Sequence, residues 1–192
     1  MELALEQLVQ NAAIANFTCD NPAALTNFNG AKYMGTWYEQ SHIKGQFFEP
    51  DDATCVEAIY SNLKSDGHFV VNNTEQDAKF GPRTGITGTG YCPDATGRCY
   101  VKFGPQLEEA NVRPNYNVID TDYTSYAVVY ACGALHNFLW LLSREPVISD
   151  TLYNKMYASA KAKLPHFDFT TLAPREYQGS KCSYVKSNDL LD

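Results

Sequence analysis

The chain has 192 residues, of which 44% are hydrophobic and 19% are charged, and its formal net charge is −7. This length fits one domain, and the negative charge argues against a nucleic-acid partner. No apolar run is long enough to span a bilayer, so membrane contact is expected to be peripheral at most. Thirteen Tyr and ten Phe favour strands over helices.

The first eighteen residues are interpreted as an N-terminal extension. Leu5, Leu8, Val9 and Ala12 have helical spacing, which permits a short amphipathic helix over 2–15 or a frayed terminus. The N-terminus lacks the basic start and continuous apolar core of an intact signal peptide. We therefore expect the mature form of a secreted, extracellular protein.

The cysteines agree with an oxidising compartment. There are six of them, without a Cys-x-x-Cys pair and without a neighbouring His, so disulfides are predicted and a metal site is not. Six cysteines allow fifteen pairings, and spacing alone does not choose among them. Two sequons predict glycosylation at Asn16 and Asn72.

Strand-like segments recur from Gly35 onward, separated by turn signals such as Ser65-Asp66-Gly67. The predicted strands are 35–43, 53–62, 68–75, 83–91, 98–104, 114–121, 125–132 and 138–144. A helix over 150–164 follows, capped by Ser149 or Asp150, with Leu152, Met156 and Ala160 on one face. The tail, 165–192, has few periodic signals. This pattern permits an antiparallel up-and-down barrel or a sandwich.

Three motifs stand in a fixed order along the chain. The first is Asn27–Glu39, which contains Gly35-Thr36-Trp37-Tyr38; the second is Thr121-Asp122-Tyr123; and the third, Phe138–Arg144, ends in Arg144. Together they resemble the three signature regions of the lipocalin family. The resemblance runs from about Cys19 to Cys182 and is strongest to the apolipoprotein D, bilin-binding protein and crustacyanin branch.

The resemblance implies a mainly β fold, an eight-stranded antiparallel up-and-down β-barrel over 27–144 with one C-terminal α-helix packed outside. The whole chain, 1–192, would be a single lipocalin domain. In lipocalins an arginine like Arg144 stacks over a tryptophan like Trp37 and closes the narrow end, a contact worth about 0.5–2 kcal/mol. The family also pairs cysteines like Cys19 with Cys132 and Cys55 with Cys182. Cys92 and Cys99 are expected to close a hairpin.

Strand alternation then predicts which side chains face the ligand. If Arg144 points inward, so do Leu142, Trp140 and Phe138. If Asn72 carries a glycan outside, Asn73 and Glu75 face inward. The family resemblance adds the remaining pocket positions, which are Tyr33, Tyr60, Ile86, Val101, Phe103 and Tyr116. Each aromatic could equally be ordinary core, but as a set they suit a small hydrophobic ligand.

Glu75 bears on the ligand's identity. It is either solvated at the rim or accepts hydrogen bonds from ligand N–H or O–H groups. A bilin such as biliverdin has pyrrole N–H donors, a carotenoid has at most end-ring hydroxyls, and an ionised fatty acid would be repelled. We therefore predict a pigment carrier that holds its ligand non-covalently, with a bilin favoured slightly over a carotenoid.

Other readings remain open at this point. The protein could carry a fatty acid or steroid, bind another protein, or act as a lipocalin-type isomerase through a free Cys55 thiol. No catalytic motif is present, so no enzyme is predicted. Phe47 and Phe48 are expected to form a lid or a homo-oligomer contact. His42 and Arg83 lie near predicted strand ends, where they could meet ligand propionates at an open mouth, but we expect each to be a solvated charge.

Overall fold

The computed structural model describes residues 19–45, 50–104, 113–133 and 137–185. The predictions made for 2–15, Asn16, Phe47 and Phe48 lie outside these ranges. Within them, no helix has the length and apolar character needed to cross a membrane.

Eight antiparallel strands form a closed barrel in which each strand pairs with its sequence neighbours and β8 pairs with β1. The barrel prediction is confirmed, and the sandwich is excluded. The strands are β1 (Gly35–Ser41), β2 (Thr54–Ser61), β3 (His68–Gln76), β4 (Thr84–Tyr91), β5 (Arg98–Lys102), β6 (Tyr116–Thr121), β7 (Tyr126–Cys132) and β8 (Asn137–Ser143). Most boundaries lie within one or two residues of the predicted ones.

A short helical turn, α1 (Gly30–Tyr33), leads into the barrel at its closed end. Asn29 caps it by accepting a hydrogen bond of 3.0 Å from the Lys32 backbone N–H. Gly35 then begins β1 with a φ of 96°, a conformation that disfavours side chains, and a Cβ there would lie 3.3 Å from Arg144 Nη1. The absent side chain leaves room for the Arg144 guanidinium.

Two glycines of β4 leave room for aromatic rings inside the barrel. A Cβ on Gly90 would lie 2.0 Å from Phe69 Cζ, and one on Gly88 would lie 2.6 Å from Phe103 Cδ1. Both glycines pair with inward-facing residues of β3, Phe69 and Val71. The Gly-rich run of this strand is therefore explained by close packing of the barrel interior.

A second helix, α2 (Asp150–Lys163), packs against the outside of β6, β7 and β8. Ser149 caps it by accepting from the Leu152 N–H at 3.2 Å. Met156 and Ala160 are fully buried against outward-facing residues such as Val128 and Leu139. The predicted helix, its cap and its apolar face are confirmed. The barrel thus has two apolar clusters, one inside it and one under α2.

The tail contributes to the barrel wall, which the sequence did not predict. β1 and β2 pair only as far as Tyr38 and Glu57. Beyond that point the Glu176 N–H donates to the Gln40 carbonyl at 3.1 Å, and the Gln178 side chain donates to carbonyls of both β1 and β2, those of Glu39 and Val56, at 2.9 Å. The tail therefore fills the gap between the two diverging strands.

Three disulfides join the expected partners, Cys19 with Cys132, Cys55 with Cys182, and Cys92 with Cys99. The first ties the segment before the barrel to β7, and the second ties the tail to β2. The third closes the β4–β5 hairpin. The described residues include all six cysteines, and none is free.

Arg83 is not the solvated charge that the sequence suggested. Its guanidinium lies outside the barrel, 2.7 Å from the buried carboxylate of Glu57, and also donates to the Thr74 hydroxyl and the Cys55 carbonyl. Glu57 Oε2 additionally accepts from the Val185 N–H at 3.1 Å. This ion pair therefore helps to fix the tail against the outer face of β2.

Candidate ligand-binding site

The floor of the barrel is closed by Trp37 and Arg144. Trp37 is fully buried, and the Arg144 guanidinium carbon lies 3.7 Å from the centre of its ring. The indole N–H donates to the Tyr33 carbonyl at 2.8 Å. The guanidinium donates to five backbone carbonyls at 2.8 to 3.1 Å, those of Lys32, Tyr33, Met34, Thr36 and Tyr123. This one side chain joins α1, the start of β1 and the β6–β7 turn.

Above the floor lie three tyrosines whose hydroxyls form a chain. The Tyr116 hydroxyl is 2.8 Å from those of Tyr33 and Tyr60. Burial raises the pKa of all three phenols, so they stay protonated. Three hydroxyls carry three protons, and two hydrogen bonds use two of them. The third proton can be donated to an acceptor on a ligand.

The polar residues Asn73 and Glu75 lie on the inner face of β3. Alternate residues of a strand face the same side, so Asn73 and Glu75 point the same way as Phe69 and Val71. Phe69 and Val71 belong to the apolar cluster inside the barrel. The Asn73 side-chain oxygen is buried and makes no hydrogen bond with the described residues. Glu75 is half-buried, and burial raises the pKa of its carboxyl. Both groups can therefore bind the polar atoms of a ligand.

Aromatic and aliphatic side chains make up the rest of the predicted site. Phe138 and Trp140 stack with ring centres 5.7 Å apart and an angle of 11° between planes. Val101, Phe103 and Trp140 pack on the interior cluster, which includes Leu142. Ile86 pairs with Asn73 yet is 53% exposed, so it lies at the open end. The positions predicted from alternation thus share the inner face of the barrel.

A pocket of about 260 Å³ lies at the closed end, bordered by Phe28, Tyr33, Phe69 and Tyr116 and by the loop residues Lys64 and Asp94. Pockets for drug-sized ligands are usually about 300–1,000 Å³. This pocket alone lies below that range. The sequence analysis did not predict Phe28 or Phe69 at this pocket, although Phe69 faces the same side of β3 as Asn73.

A second polar group was missed altogether. Glu39 faces inward opposite Leu142 and is 93% buried at its side chain, and His42 and Glu176 are buried beside it. Burial, and next the charge of Glu176, raises the pKa of Glu39 to about 8. His42 is therefore not the solvated charge expected from its place near a strand end.

The structure also bears on the isomerase reading. Cys55 is fully buried and bonded to Cys182, so its sulfur is not available as a thiolate nucleophile. The mechanism that depends on a free Cys55 is excluded while this bond is intact.

A closed eight-stranded barrel with an aromatic, sparsely polar interior defines a calyx-type binding protein. Comparison with known proteins then identifies the family. A family model described as a lipocalin-like domain matches residues 28–176. The chain therefore belongs to the lipocalin family, whose members are ligand-binding carriers, and to the branch that includes apolipoprotein D.

Individual relatives agree with this assignment. The outer membrane lipoprotein Blc of Escherichia coli K12 is 32% identical over 158 residues, which cover 78% of this chain and 84% of Blc. Apolipoprotein D of Mus musculus is 30% identical over 137 residues, 68% of each chain. Among solved structures, insecticyanin from Manduca sexta has a TM-score of 0.68 at 20% identity, with 87% of this chain and 90% of that chain covered. Lobster apocrustacyanin A1 has a TM-score of 0.62 at 23% identity, with 81% and 83% covered.

Proposed function

We propose that the protein is a secreted carrier whose barrel holds a pigment of the bilin class, such as biliverdin, without a covalent bond. The observation that carries the proposal is the buried Asn73 oxygen, which lacks a hydrogen bond among the described residues inside an otherwise aromatic interior. A buried polar group without a partner costs about 1–3 kcal/mol. A ligand N–H at this point offsets that cost.

The other polar groups of the interior favour the same ligand. Glu75 is an acceptor on the same face as Asn73, and the tyrosine hydroxyl chain has one proton to donate. A linear tetrapyrrole has pyrrole N–H groups for the first two and terminal lactam oxygens for the third. Its apolar body can pack against Trp140, Phe138 and Phe103.

Competing ligands satisfy fewer of these groups. A carotenoid has only end-ring oxygens, whereas the site has acceptors at Asn73 and Glu75 and a separate donor at the tyrosine hydroxyls. A fatty acid carboxylate would lie beside Glu75, and repulsion between like charges disfavours its ionised form. A steroid has few polar atoms and leaves Asn73 or Glu75 without a partner.

The test is a titration of the ligand-free protein with biliverdin, a dihydroxy-carotenoid, a steroid and a long-chain fatty acid. Binding is followed by tryptophan fluorescence and by induced circular dichroism in the visible range. We expect biliverdin to bind with one molecule per chain and more tightly than the others. Asn73→Leu and Glu75→Gln should each weaken it about tenfold, which is the loss of about 1.4 kcal/mol.

Asn72→Leu is the matched control, because Asn72 is the neighbouring residue on the outer face of β3. Its affinity for biliverdin should equal that of the wild type. Equal losses in Asn72→Leu and Asn73→Leu would contradict the proposal, as would tighter binding of the steroid or the fatty acid.

Secretion is part of this proposal, because three disulfides require an oxidising compartment to form and persist. Glycosylation at Asn16 and Asn72 and an oligomer contact through Phe47 and Phe48 remain predictions from the sequence.

A further inference from the structure

Three buried ionisable side chains converge where the tail crosses β1. His42 Nδ1 lies 2.7 Å from Glu39 Oε1 and 2.7 Å from Glu176 Oε1. The side chains of His42, Glu39 and Glu176 are 0%, 7% and 3% exposed. This cluster has no part in the proposed ligand contacts.

The cluster buries two carboxyl groups beside one imidazole, and burying both groups as carboxylates is costly without compensating positive charge. No lysine or arginine among the described residues forms an ion pair with Glu39. A divalent cation would allow Glu39 and Glu176 both to be charged in this buried site.

The hydrogen bonding points to the same conclusion. The ring nitrogen Nδ1 can carry one proton, and its contact with Glu176 has the geometry of a hydrogen bond. Glu39 Oε1 touches the same nitrogen but makes no hydrogen bond with the described residues, although it is buried. One buried oxygen is therefore directed at a nitrogen that has no second proton for it.

We propose that Glu39, His42 and Glu176 bind a divalent transition-metal ion, with Zn²⁺ as the best fit to one imidazole and two carboxylates. The three donor atoms all lie within 4.8 Å of one another. Ligands about 2.1 Å from a tetrahedral ion lie about 3.4 Å apart, so the two 2.7 Å contacts have to widen by about 0.7 Å. A water supplies the fourth ligand.

Such an ion would be structural and would fix the tail to the barrel. Glu39 and His42 belong to β1 and the residues that follow it, whereas Glu176 belongs to the tail that fills the gap between β1 and β2. The Cys55–Cys182 bond holds the same tail to β2 a few residues further on. The metal would therefore add a second attachment, on the other strand.

The test uses chelator-treated full-length protein with its disulfides intact. Zn²⁺ is added either to the folded protein or during oxidative refolding, so that slow entry into a buried site cannot hide binding. After gel filtration, metal analysis should find one Zn²⁺ per chain. Co²⁺ bound at the same site should show the visible bands of nitrogen and oxygen coordination.

Variants separate this site from ordinary surface histidines. Glu39→Gln, His42→Gln and Glu176→Gln should each weaken Zn²⁺ binding at least about tenfold and abolish the Co²⁺ bands. His68→Gln and His166→Gln are the controls, because these histidines have side chains that are 43% and 64% exposed and pair with Asp66 and Asp20 instead of with the cluster. Both variants should leave both signals unchanged. If one ligand variant fails to fold, the other two still decide the question.

The proposal is wrong if the wild type retains no Zn²⁺ by either route, in which case the cluster holds only protons. It is equally wrong if the ligand variants bind Zn²⁺ as well as the wild type does, or if a control variant removes the binding. None of these outcomes depends on the identity of the organic ligand.

Discussion

Replacing Arg144 with alanine is expected to lower the free energy of unfolding by about 4 kcal/mol. The substitution removes a cation–π contact worth about 0.5–2 kcal/mol and hydrogen bonds from a charged donor worth about 1.5–3 kcal/mol each. The total is less than the sum because these contacts share one side chain and water can reach some of the freed carbonyls. The five acceptors belong to three different segments, so the closed end loses its common anchor.

Urea unfolding followed by tryptophan fluorescence measures this effect with the disulfides kept oxidised. Arg144→Lys retains a charge but lacks the planar fork, and it should recover only about 1 kcal/mol. Arg113→Ala is the control, because Arg113 is exposed and should change stability by less than about 0.5 kcal/mol. A loss below about 1 kcal/mol in Arg144→Ala would show that the guanidinium does not anchor the closed end.

Removing the Cys55–Cys182 disulfide by a double serine substitution is expected to cost about 5 kcal/mol. In the chain-entropy model the loss in the free energy of unfolding rises with the logarithm of the number of residues in the loop that the bond closes. The sequence separation here is 127 residues. The φ of 57° at Cys55 does not change this figure, because a serine in the same conformation has the same backbone strain.

The Cys92–Cys99 disulfide supplies a matched comparison. Its cysteines are only 7 residues apart, so the same model gives about 2 kcal/mol for the corresponding double serine variant. Denaturant unfolding of both variants in parallel gives the difference directly. If both double serine variants lose the same stability, or if the Cys92–Cys99 variant loses more, the disulfides do not stabilise the protein mainly by restricting the unfolded chain.

Much of the barrel could be predicted because its rules are local. The alternation of side chains along β3 and β8 separates inward from outward residues, and it places Asn73 and Glu75 on the same face as Val71. The cap and apolar face of α2 follow from Ser149 and the spacing of Met156 and Ala160. Two of the three disulfide pairings came from the family resemblance and not from spacing.

The tail and the cluster around His42 could not be predicted, because they depend on contacts between residues far apart in sequence. His42 and Glu176 are separated by 134 residues, and the tail has no periodic pattern that would place it between β1 and β2. Arg83 was misjudged for the same reason, since its partner Glu57 lies on another strand and is covered by the tail. Local sequence signals carry no information on such contacts.

The most direct test of the carrier function is an ultraviolet–visible spectrum of the protein purified from its native source, with mass spectrometry of its organic extract. We expect a visible absorption band and one extracted tetrapyrrole per chain, and we expect the band to shift in Glu75→Gln. A carotenoid in the extract would keep the carrier function but contradict the roles assigned to Asn73 and Glu75. A colourless protein that yields a steroid or a fatty acid, or one that fails to bind biliverdin when it is titrated back, would contradict the pigment proposal.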